Sequence, residues 1–342
     1  MPIKSLRVVF DIQHPSDVNV FKPVVVELKE MGHIPSLICL ARGRVPQIAR
    51  MEMPKVAQTI IGVHCSGRIG LYIRTGLWRE LRLLAYMAFG KVDVAVGQPG
   101  FQTALAGKML GFRGIGIYDD PEHGINHKLS MKWCDPYLLP ECLSVQGESI
   151  RSFKGLKEWG YLSPKRFTPS IEYVRNQGLS PFSYFFLREI APRSLNYLNE
   201  THYPIKQLYD QGLCKHPAVI SLEDPTRRSL FPKWKVLKEP VEDIHSIMFF
   251  SKACISSGDS MVREGAQLGV KSIYMGKRLM QANKPIIEMG LLRHVPSPQI
   301  ALEYVLGLER DDTSVREGVR DMLQDLWDDP VDLLLDAIVN EE

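Results

Sequence analysis

The sequence predicts an α/β protein with two Rossmann-like domains, whose parallel sheets face each other across a cleft. Short β-branched runs alternate with amphipathic helical stretches almost from end to end, a pattern that implies parallel strands with helices on both faces of each sheet. The alternation breaks over residues 149–180, which are rich in Gly, Pro, Ser and aromatic residues, and then restarts. A length of 342 residues suits two domains of roughly 150 residues better than one core.

The first block, residues 1–160, predicts an N-terminal Rossmann-like domain. Its apolar runs have the length of buried strands, and the stretches between them show helical spacing of apolar residues. Gly32 marks the end of the first helix, because glycine readily adopts the conformation that closes a helix. The predicted strands are residues 6–12, 34–40, 57–63, 92–96, 114–118 and 137–140, and the clearest helices are residues 18–31, 75–89 and 101–110.

The second block, residues 161–325, predicts a C-terminal Rossmann-like domain, with the boundary between residues 155 and 182. Two amphipathic helices follow its last strand, at residues 314–327 and 331–339. We expect residues 326–342 to form a C-terminal helix that caps or bridges the domains. The predicted strands of this block are residues 184–188, 218–222, 235–237, 253–256 and 271–275.

The composition is that of a globular enzyme and excludes several other classes. The chain is 45% hydrophobic and 24% charged, without low-complexity runs or solenoid repeats. A net charge of +3 is too small to predict a nucleic-acid partner. The six cysteines form no C-x-x-C pair, which favours reduced thiols in a cytoplasmic protein over disulfides or a zinc site. No stretch approaches the ~20 apolar residues of a membrane span, so we expect a cytoplasmic protein, at most peripheral at the inner membrane face.

Polar clusters follow the predicted strands at their carboxyl ends, which is where open parallel sheets bind ligands. Any one cluster could be an ordinary polar loop, since loops are rich in such residues. Seven clusters at equivalent places favour a single lined cleft. They are residues 11–19, 97–100, 119–124, 188, 223–224, 257–260 and 276–278.

Residues 252–275 are the most informative segment of the chain. They predict a strand, a turn at residues 257–260, a short helix at residues 261–268 closed by Gly269, and a second strand. Free backbone N–H groups at such a helix N-terminus bind phosphate, and Glu264 lies one turn further on, where a carboxylate could reach a ribose. The segment therefore predicts a nucleotide-diphosphate site. The alternative is an ordinary βαβ crossover with a Ser or Asp N-cap and a Gly C-cap.

Three carboxylates and one imidazole stand close together after the fifth predicted strand. Neighbouring carboxylates and imidazoles tune one another toward acid–base chemistry, and we favour that role over a solvated turn. The first two carboxylates could instead hold Mg²⁺ as a pair. These residues are Asp119, Asp120, Glu122 and His123.

His14 lies in the loop after the first predicted strand. A lone histidine there is more often a hydrogen-bonded loop residue than a catalytic base. Its candidacy as a base rests on Asp11 and Asp17, which flank it in the same loop.

Four ordered motifs resemble a microbial family, domain-of-unknown-function family 354, whose members are glycosyltransferase-like with the GT-B fold. The resemblance runs in order from about residue 8 to residue 294, which is most of the chain. The motifs are D-I-Q-H-P-S-D-V-N-V-F-K-P, D-D-P-E-H, Y-L-L-P-E followed by F-K-G-L-K-E-W-G-Y-L-S-P, and S-G-D-S-M-V-R-E-G-A-Q-L-G.

The resemblance implies a particular division of labour between the domains. The wider superfamily includes MurG-type N-acetylglucosaminyltransferases and non-hydrolysing UDP-N-acetylglucosamine 2-epimerases. In these relatives the C-terminal domain holds the sugar nucleotide, the loop and helix matching residues 257–268 contact its diphosphate, and a Glu matching Glu264 often binds the ribose hydroxyls. The N-terminal domain supplies the acceptor side or the catalytic groups.

Two departures from the family pattern concern the donor site. The chain keeps Arg188 but continues with residues 189–194 in place of a short Asn-Ala-Ser-His-Asp stretch. Its phosphate loop carries Asp259 where many relatives have Gly or Ser. A carboxylate beside a diphosphate is unfavourable unless it caps the helix, points away or is offset by cations. The available cations are Arg263, Lys277 and Arg278.

A GT-B transferase needs a base for the acceptor hydroxyl and positive charge or N–H dipoles for the departing diphosphate. We favour His14 as the base, with Glu122 second, and His123 and Asp120 as further catalytic candidates. The predicted nucleotide-sugar ligands are Arg188, Ser257, Gly258, Asp259, Ser260, Glu264, Lys277 and Arg278. The GT-B pattern needs no metal, and no cofactor is predicted.

Three functions remain open at this point. The leading hypothesis is a glycosyltransferase that uses a nucleotide-sugar donor, in the first place a UDP-sugar, and a glycan or lipid-linked acceptor in polysaccharide biosynthesis. The second is a nucleotide-sugar 2-epimerase of the same fold, for which residues 119–123 could supply opposed acid and base groups. The third is a sugar-nucleotide-binding protein without catalytic activity.

Residues 67–91 bear on the acceptor. Five basic residues are interleaved there with large apolar residues, as in a basic amphipathic helix that lies on an anionic membrane. The alternative, which we favour, is an ordinary α/β helix with its apolar side on the sheet and its arginines in water.

Overall fold

The chain forms two compact α/β units. The computed structural model describes residues 5–65, 76–120, 124–191, 203–309 and 311–340. One unit comprises Met1–Tyr161 and Trp327–Glu342, and the other comprises Leu162–Leu326. We call them unit 1 and unit 2.

Unit 1 contains a sheet of seven parallel strands in the order β3-β2-β1-β4-β5-β6-β7. The short edge strand β7 was missed at the sequence level, because four residues, two of them polar, show no strand periodicity. The strands are β1 Arg7–Ile12, β2 Ile34–Ala41, β3 Ala57–Val63, β4 Val94–Gly97, β5 Arg113–Ile117, β6 Tyr137–Pro140 and β7 Ile150–Phe153.

Unit 2 contains a sheet of six parallel strands in the order β10-β9-β8-β11-β12-β13. The three-residue edge strand β13 was also missed from the sequence. The strands are β8 Phe185–Glu189, β9 Ala218–Leu222, β10 Lys235–Val236, β11 Cys254–Ser256, β12 Ser272–Tyr274 and β13 Leu292–His294.

Helices alternate with these strands through both units. They are α1 Pro15–Glu30, α2 Val45–Glu52, α3 Arg79–Gly90, α4 Phe101–Leu110, α5 Gly124–Trp133, α6 Trp159–Leu162, α7 Ile171–Asn176, α8 Pro204–Asp210, α9 Ile244–Phe249, α10 Asp259–Gln267, α11 Lys284–Glu288, α12 Pro298–Leu306, α13 Thr313–Leu326 and α14 Pro330–Val339. None of the described helices combines the length and the apolar character needed to cross a bilayer.

The helices of unit 1 cover both faces of its sheet. Alternate residues of β1 point to opposite faces, so Val8 and Phe10 pack with α1, α2 and α14, whereas Val9 packs with α3 and α4. The last helix, α14, therefore returns to unit 1, where the Arg113 guanidinium donates to the carbonyl oxygens of Ala337 and Ile338 at 3.1 and 2.7 Å.

Several predicted boundaries are corrected by one to three residues. Helix α1 begins at Pro15 rather than residue 18, because His14 is its N-cap. Helix α10 begins at Asp259 rather than residue 261. A π-helical turn at residues 76–78 precedes α3, and its predicted start at residue 75 lies outside the described residues. Arg188 lies inside β8 as its penultimate residue, not after the strand.

The strand order reverses once in each sheet, between β1 and β4 in unit 1 and between β8 and β11 in unit 2. At such a point the connections leave in opposite directions and open a crevice at the carboxyl ends of the strands. Each unit therefore has one crevice where a ligand is expected.

Candidate functional site

In unit 2, the loop after β11 is fixed against the end of β8. The Ser257 N–H donates to the carbonyl oxygen of Arg188 at 3.1 Å, and the Ile190 N–H donates to the Ser257 hydroxyl at 3.0 Å. The Ser256 hydroxyl closes the turn, since it accepts from the Gly258 N–H at 2.9 Å and donates to the Gly258 carbonyl at 2.7 Å. The loop is thus held at the point where the strand order reverses.

Helix α10 begins directly after this loop, and its N-cap is Gly258. No described side chain caps it, so the N–H groups of its first turn lack the side-chain acceptor that most helix starts have. The buried Asp259 carboxylate lies 3.6 Å from the Arg278 guanidinium and accepts from the Ser260 hydroxyl at 3.4 Å. The carboxylate that the sequence placed beside a phosphate is therefore offset by an arginine.

Glu264 lies one turn further along α10 and is almost fully buried. Its Oε2 is 3.4 Å from Nε2 of His245, and the His245 ring packs edge-on against Phe167 with ring centroids 5.8 Å apart. The carboxylate that was predicted to reach a ribose therefore has a histidine beside it.

Arg188 belongs to a cluster that the sequence did not indicate. Its Nη1 donates to the Glu239 carboxylate at 2.6 Å, and it also donates to the Ser221 hydroxyl, which is itself hydrogen-bonded to Glu239. The guanidinium charge is therefore already balanced by a carboxylate. Arg188 can act on a diphosphate only while sharing its charge with Glu239.

The segment after β12 completes this edge of unit 2. A Cβ on Gly276 would stand 2.4 Å from the Tyr274 hydroxyl and 2.6 Å from the Ser257 carbonyl oxygen, so only glycine fits beside the β11–α10 loop. Lys277 is exposed and Arg278 is mostly buried beside Asp259. The predicted ligands of this unit, from β8, the β11–α10 loop, α10 and the β12 end, thus share one edge of one sheet.

In unit 1, a buried network stands at the end of β1. Arg79 forms an ion pair with Asp11, with both side chains essentially inaccessible, and its Nη1 donates to the Gln102 amide oxygen at 2.7 Å. The Gln13 amide donates to the same Asp11 carboxylate at 2.8 Å. The network fixes the start of the loop that carries His14.

His14 itself is exposed and serves as the N-cap of α1. Its Nδ1 accepts from the Ser16 N–H at 3.3 Å and lies 2.9 Å from the Ser16 hydroxyl. Asp17 closes the same turn by accepting from the N–H groups of Gln13 and His14 at 2.8 Å each. Burial raises the pKa of Asp17 to about 7 against the opposing effect of these hydrogen bonds. Asp17 therefore titrates in the range in which general acids and bases operate.

The cluster after β5 is only in part described, because Glu122 and His123 lie outside the described residues. Asp119 is buried and accepts from Lys157 at 2.6 Å, and Asp120 is buried beside it. His127 on α5 has its Nδ1 3.2 Å from the Tyr137 hydroxyl. Burial lowers the pKa of His127, with the nearby Asp120 acting in the opposite direction. In the described part of the chain, no group of three or more His, Cys, Asp or Glu side chains is placed to hold a metal ion.

Sequence reasoning found the strand-end residues but missed their partners. His127 was the one partner with a usable signal, since it follows the acidic cluster by a few residues on a helix. The others come from distant parts of the chain. The missed residues are Arg79, Gln102, His127, Lys157, Ser221, Glu239 and His245.

The fold defines the class of protein: two α/β units with parallel sheets form the GT-B fold, as predicted. No protein-family model matches the chain, and no curated protein matches it in sequence. The resemblance to family 354 therefore stays a prediction.

Solved structures share this fold over almost the whole chain. S. aureus MnaA with UDP superposes with a TM-score of 0.69 at 12% identity, over 97% of this chain and 96% of that one. UDP-GlcNAc 2-epimerase from Neisseria meningitidis bound to UDP-GlcNAc gives 0.63 at 12% identity, over 98% and 100%. MurG from Acinetobacter baumannii gives 0.55 at 14% identity, over 97% and 99%.

Proposed function

We propose that this chain is a nucleotide-sugar-dependent glycosyltransferase. Unit 2 binds the donor, in the first place a UDP-sugar, and the acceptor is a glycan or a lipid-linked sugar. The observation that carries the proposal is the α10 N-terminus, which has no described side-chain cap and is joined to a loop fixed where the strand order reverses. UDP or UDP-GlcNAc in the structures of two neighbours of this fold supports a uridine nucleotide.

The diphosphate would bind at the start of α10. The Gly258 N–H is taken up by the Ser256 hydroxyl, so the N–H groups of the first turn of α10 provide the dipoles directed along the helix axis, which favour negative charge. Arg278 stands beside this turn, and its pairing with Asp259 keeps the carboxylate from repelling the phosphates. As the bond between sugar and diphosphate breaks, charge grows on the leaving phosphate, and these fixed dipoles stabilise it most at that stage.

The ribose would bind through Glu264. An ionised carboxylate accepts hydrogen bonds from two hydroxyls, and its place one turn after the phosphate loop matches the distance between a diphosphate and its ribose. His245 limits the directions that this carboxylate can take.

Unit 1 would supply the base. His14 is exposed, but its Nδ1 accepts from the Ser16 N–H at 3.3 Å, which places the proton of the neutral ring on Nε2. To act as the base, His14 must exchange this bond for one in which Nδ1 donates to the Ser16 hydroxyl at 2.9 Å, which leaves the lone pair on Nε2 for the acceptor hydroxyl. Glu122, His123 and Asp120 are the further candidates from the sequence.

The second candidate is a nucleotide-sugar 2-epimerase. Buried titratable groups at the edge of unit 1 favour it, namely Asp17 with a pKa of about 7 and the Asp120–His127 neighbourhood. Such an enzyme needs an acid and a base beside the sugar.

Binding and turnover separate these possibilities. Calorimetric titration with UDP-, GDP-, CDP- and dTDP-sugars should give saturable binding of one nucleotide that is lost in Glu264→Ala and kept in Glu303→Ala, an exposed glutamate of α12. With the bound donor alone, an epimerase converts the sugar and a transferase leaves it unchanged until an acceptor is added. Binding without turnover, unaffected by His14→Ala, would indicate a non-catalytic protein. If no nucleotide binds, the proposal is wrong. The cytoplasmic location and the contact with the inner membrane face stay predictions.

A further inference from the structure

Helix α3 and the turn before it expose large apolar side chains on their outer side. The inner side is apolar as well, since Leu83 and Met87 are buried against the sheet. A helix with one face on a sheet and the other in water carries polar residues on the outer side. Here the outer side carries Leu77, Trp78, Leu81 and Phe89, which are 62%, 58%, 51% and 89% exposed.

The inner side packs on the sheet and Arg82 lies in water, as the interpretation favoured from the sequence expects, whereas Arg79 is buried rather than in water. The outer side, however, combines arginine with a stripe of apolar residues four positions apart, from Leu77 through Leu81 and Ala85 to Phe89, which share one side of the helix. Residues 66–75, which complete the predicted basic segment, lie outside the described residues.

Helices α4 and α5 extend the same surface. They follow α3 on the same side of the sheet and pack against each other in the order α3, α4, α5. Met109, Leu110 and Ile125 are exposed on them, by 63%, 40% and 63%. Exposed apolar residues scattered singly are normal, whereas these three adjacent helices together expose seven large apolar side chains. We call this surface, with its basic residues, the α3–α5 face.

The charge of the α3–α5 face is mainly positive. The exposed cations on or directly after these helices are Arg82, Lys91, Lys108, Lys128 and Lys132, and the exposed Asp135 follows α5 by two residues. Among the described residues of the three helices, the single acid is Glu80. It is half-buried, and burial raises its pKa to about 7, so at neutral pH it carries part of one negative charge against the five cations.

We propose that the α3–α5 face docks unit 1 on an anionic lipid bilayer. Exposed Trp, Phe and Leu side chains insert into the region between headgroups and acyl chains, and the surrounding Lys and Arg bind the anionic headgroups. A second copy of this chain fits less well, because an isologous contact places the same basic residues opposite each other. The docking needs no nucleotide, so it goes beyond the proposed function and does not depend on it.

Vesicle flotation of the full chain tests the docking. We expect binding to phosphatidylcholine vesicles that contain phosphatidylglycerol and much weaker binding to phosphatidylcholine alone. Each basic side chain near the surface changes binding about fivefold, so Arg82→Gln with Lys128→Gln should lower it about 25-fold. Phe89→Ser with Trp78→Ser should lower it on both vesicle types. Matched controls are Ile300→Ser and Lys215→Gln, both exposed in unit 2.

Four outcomes would overturn the docking. One is equal flotation with and without phosphatidylglycerol, and another is no flotation at all. The third is an equal loss of flotation in the control variants. The fourth is a dimer in light scattering that becomes a monomer in Phe89→Ser, which would assign the face to a second copy. Nucleotide binding of the Phe89→Ser variant, measured by calorimetry, distinguishes failure of the docking from failure of the proposed function, and urea unfolding of the same variant shows that unit 1 is folded.

Discussion

The Glu264 carboxylate lies 3.4 Å from the His245 imidazole, with both side chains largely buried. His245 comes from α9, and its ring is held by Phe167, so the carboxylate is oriented by groups outside its own helix. In the proposed donor site, His245 is a positioning residue, since it acts on the ribose only through Glu264.

His245→Phe should weaken nucleotide binding up to about fivefold, because an imidazole–carboxylate contact of this kind contributes up to about 1 kcal/mol. The phenyl ring keeps the contact with Phe167 while it removes the Nε2 atom. Calorimetric titration with the nucleotide that binds best measures the change, and His216→Phe in the same unit serves as the control. An unchanged affinity in His245→Phe would show that Glu264 is held without the histidine.

The buried ion pair between Arg79 and Asp11 should dominate the stability of the β1 end. Arg79→Met leaves Asp11 as a buried carboxylate without its cation, a change that costs about 3–5 kcal/mol. Urea unfolding measures the loss. Arg79→Met combined with Asp11→Leu removes both charges and should recover part of it. If the double variant is no more stable than Arg79→Met, the effect comes from packing rather than from the unpaired charge.

These pairs show what the sequence could and could not predict. Alternation of apolar runs is a local signal, so it located most strands and placed Asp11, Asp119, Arg188 and Ser257 at strand ends. The choice of partner depends on which distant segments the fold brings together. Arg79 is 68 positions from Asp11, and it stood in the sequence among five similar basic residues.

The same limit explains the outer side of α3. The spacing of apolar residues identifies an amphipathic helix. When a helix is apolar on two sides, this spacing does not show which of the two packs on the sheet. The buried Arg79 side chain lies against Gly62, where an added Cβ would stand 2.9 Å from it. Because Arg79 faces the sheet at this place, Leu81 and Trp78 lie on the outer side.

Asp17 should make the protein less stable as the pH rises toward neutral. Its pKa is raised from 3.8 to about 7 by burial, so the folded chain binds more protons than the unfolded chain between these values. The contribution of the protonated Asp17 to the free energy of unfolding is fully present below about pH 4 and is lost as the pH passes 7. At 1.36 kcal/mol per pKa unit, the loss between pH 5 and pH 7 amounts to about 2–3 kcal/mol.

Asp17→Asn keeps an oxygen for the N–H groups of Gln13 and His14 but cannot titrate. Urea unfolding at several pH values should therefore show a shallower decline in this variant. Glu80→Gln provides a comparison, because burial also raises the pKa of Glu80 to about 7. A decline in Asp17→Asn as steep as in the wild type would assign the pH dependence to other groups.

Gly276→Ala should weaken nucleotide binding more than it affects folding. The new Cβ would stand 2.6 Å from the Ser257 carbonyl oxygen, so the loop that precedes α10 must shift, and a shift there moves the N–H groups proposed to bind the diphosphate. Gly318→Ala is the matched control, because an added Cβ on this exposed residue of α13 meets nothing within 4 Å and should stabilise the helix by about 0.5–1 kcal/mol. Calorimetry and urea unfolding on both variants check the contrast. Equal nucleotide affinity in the two variants would mean that the loop before α10 does not contact the ligand.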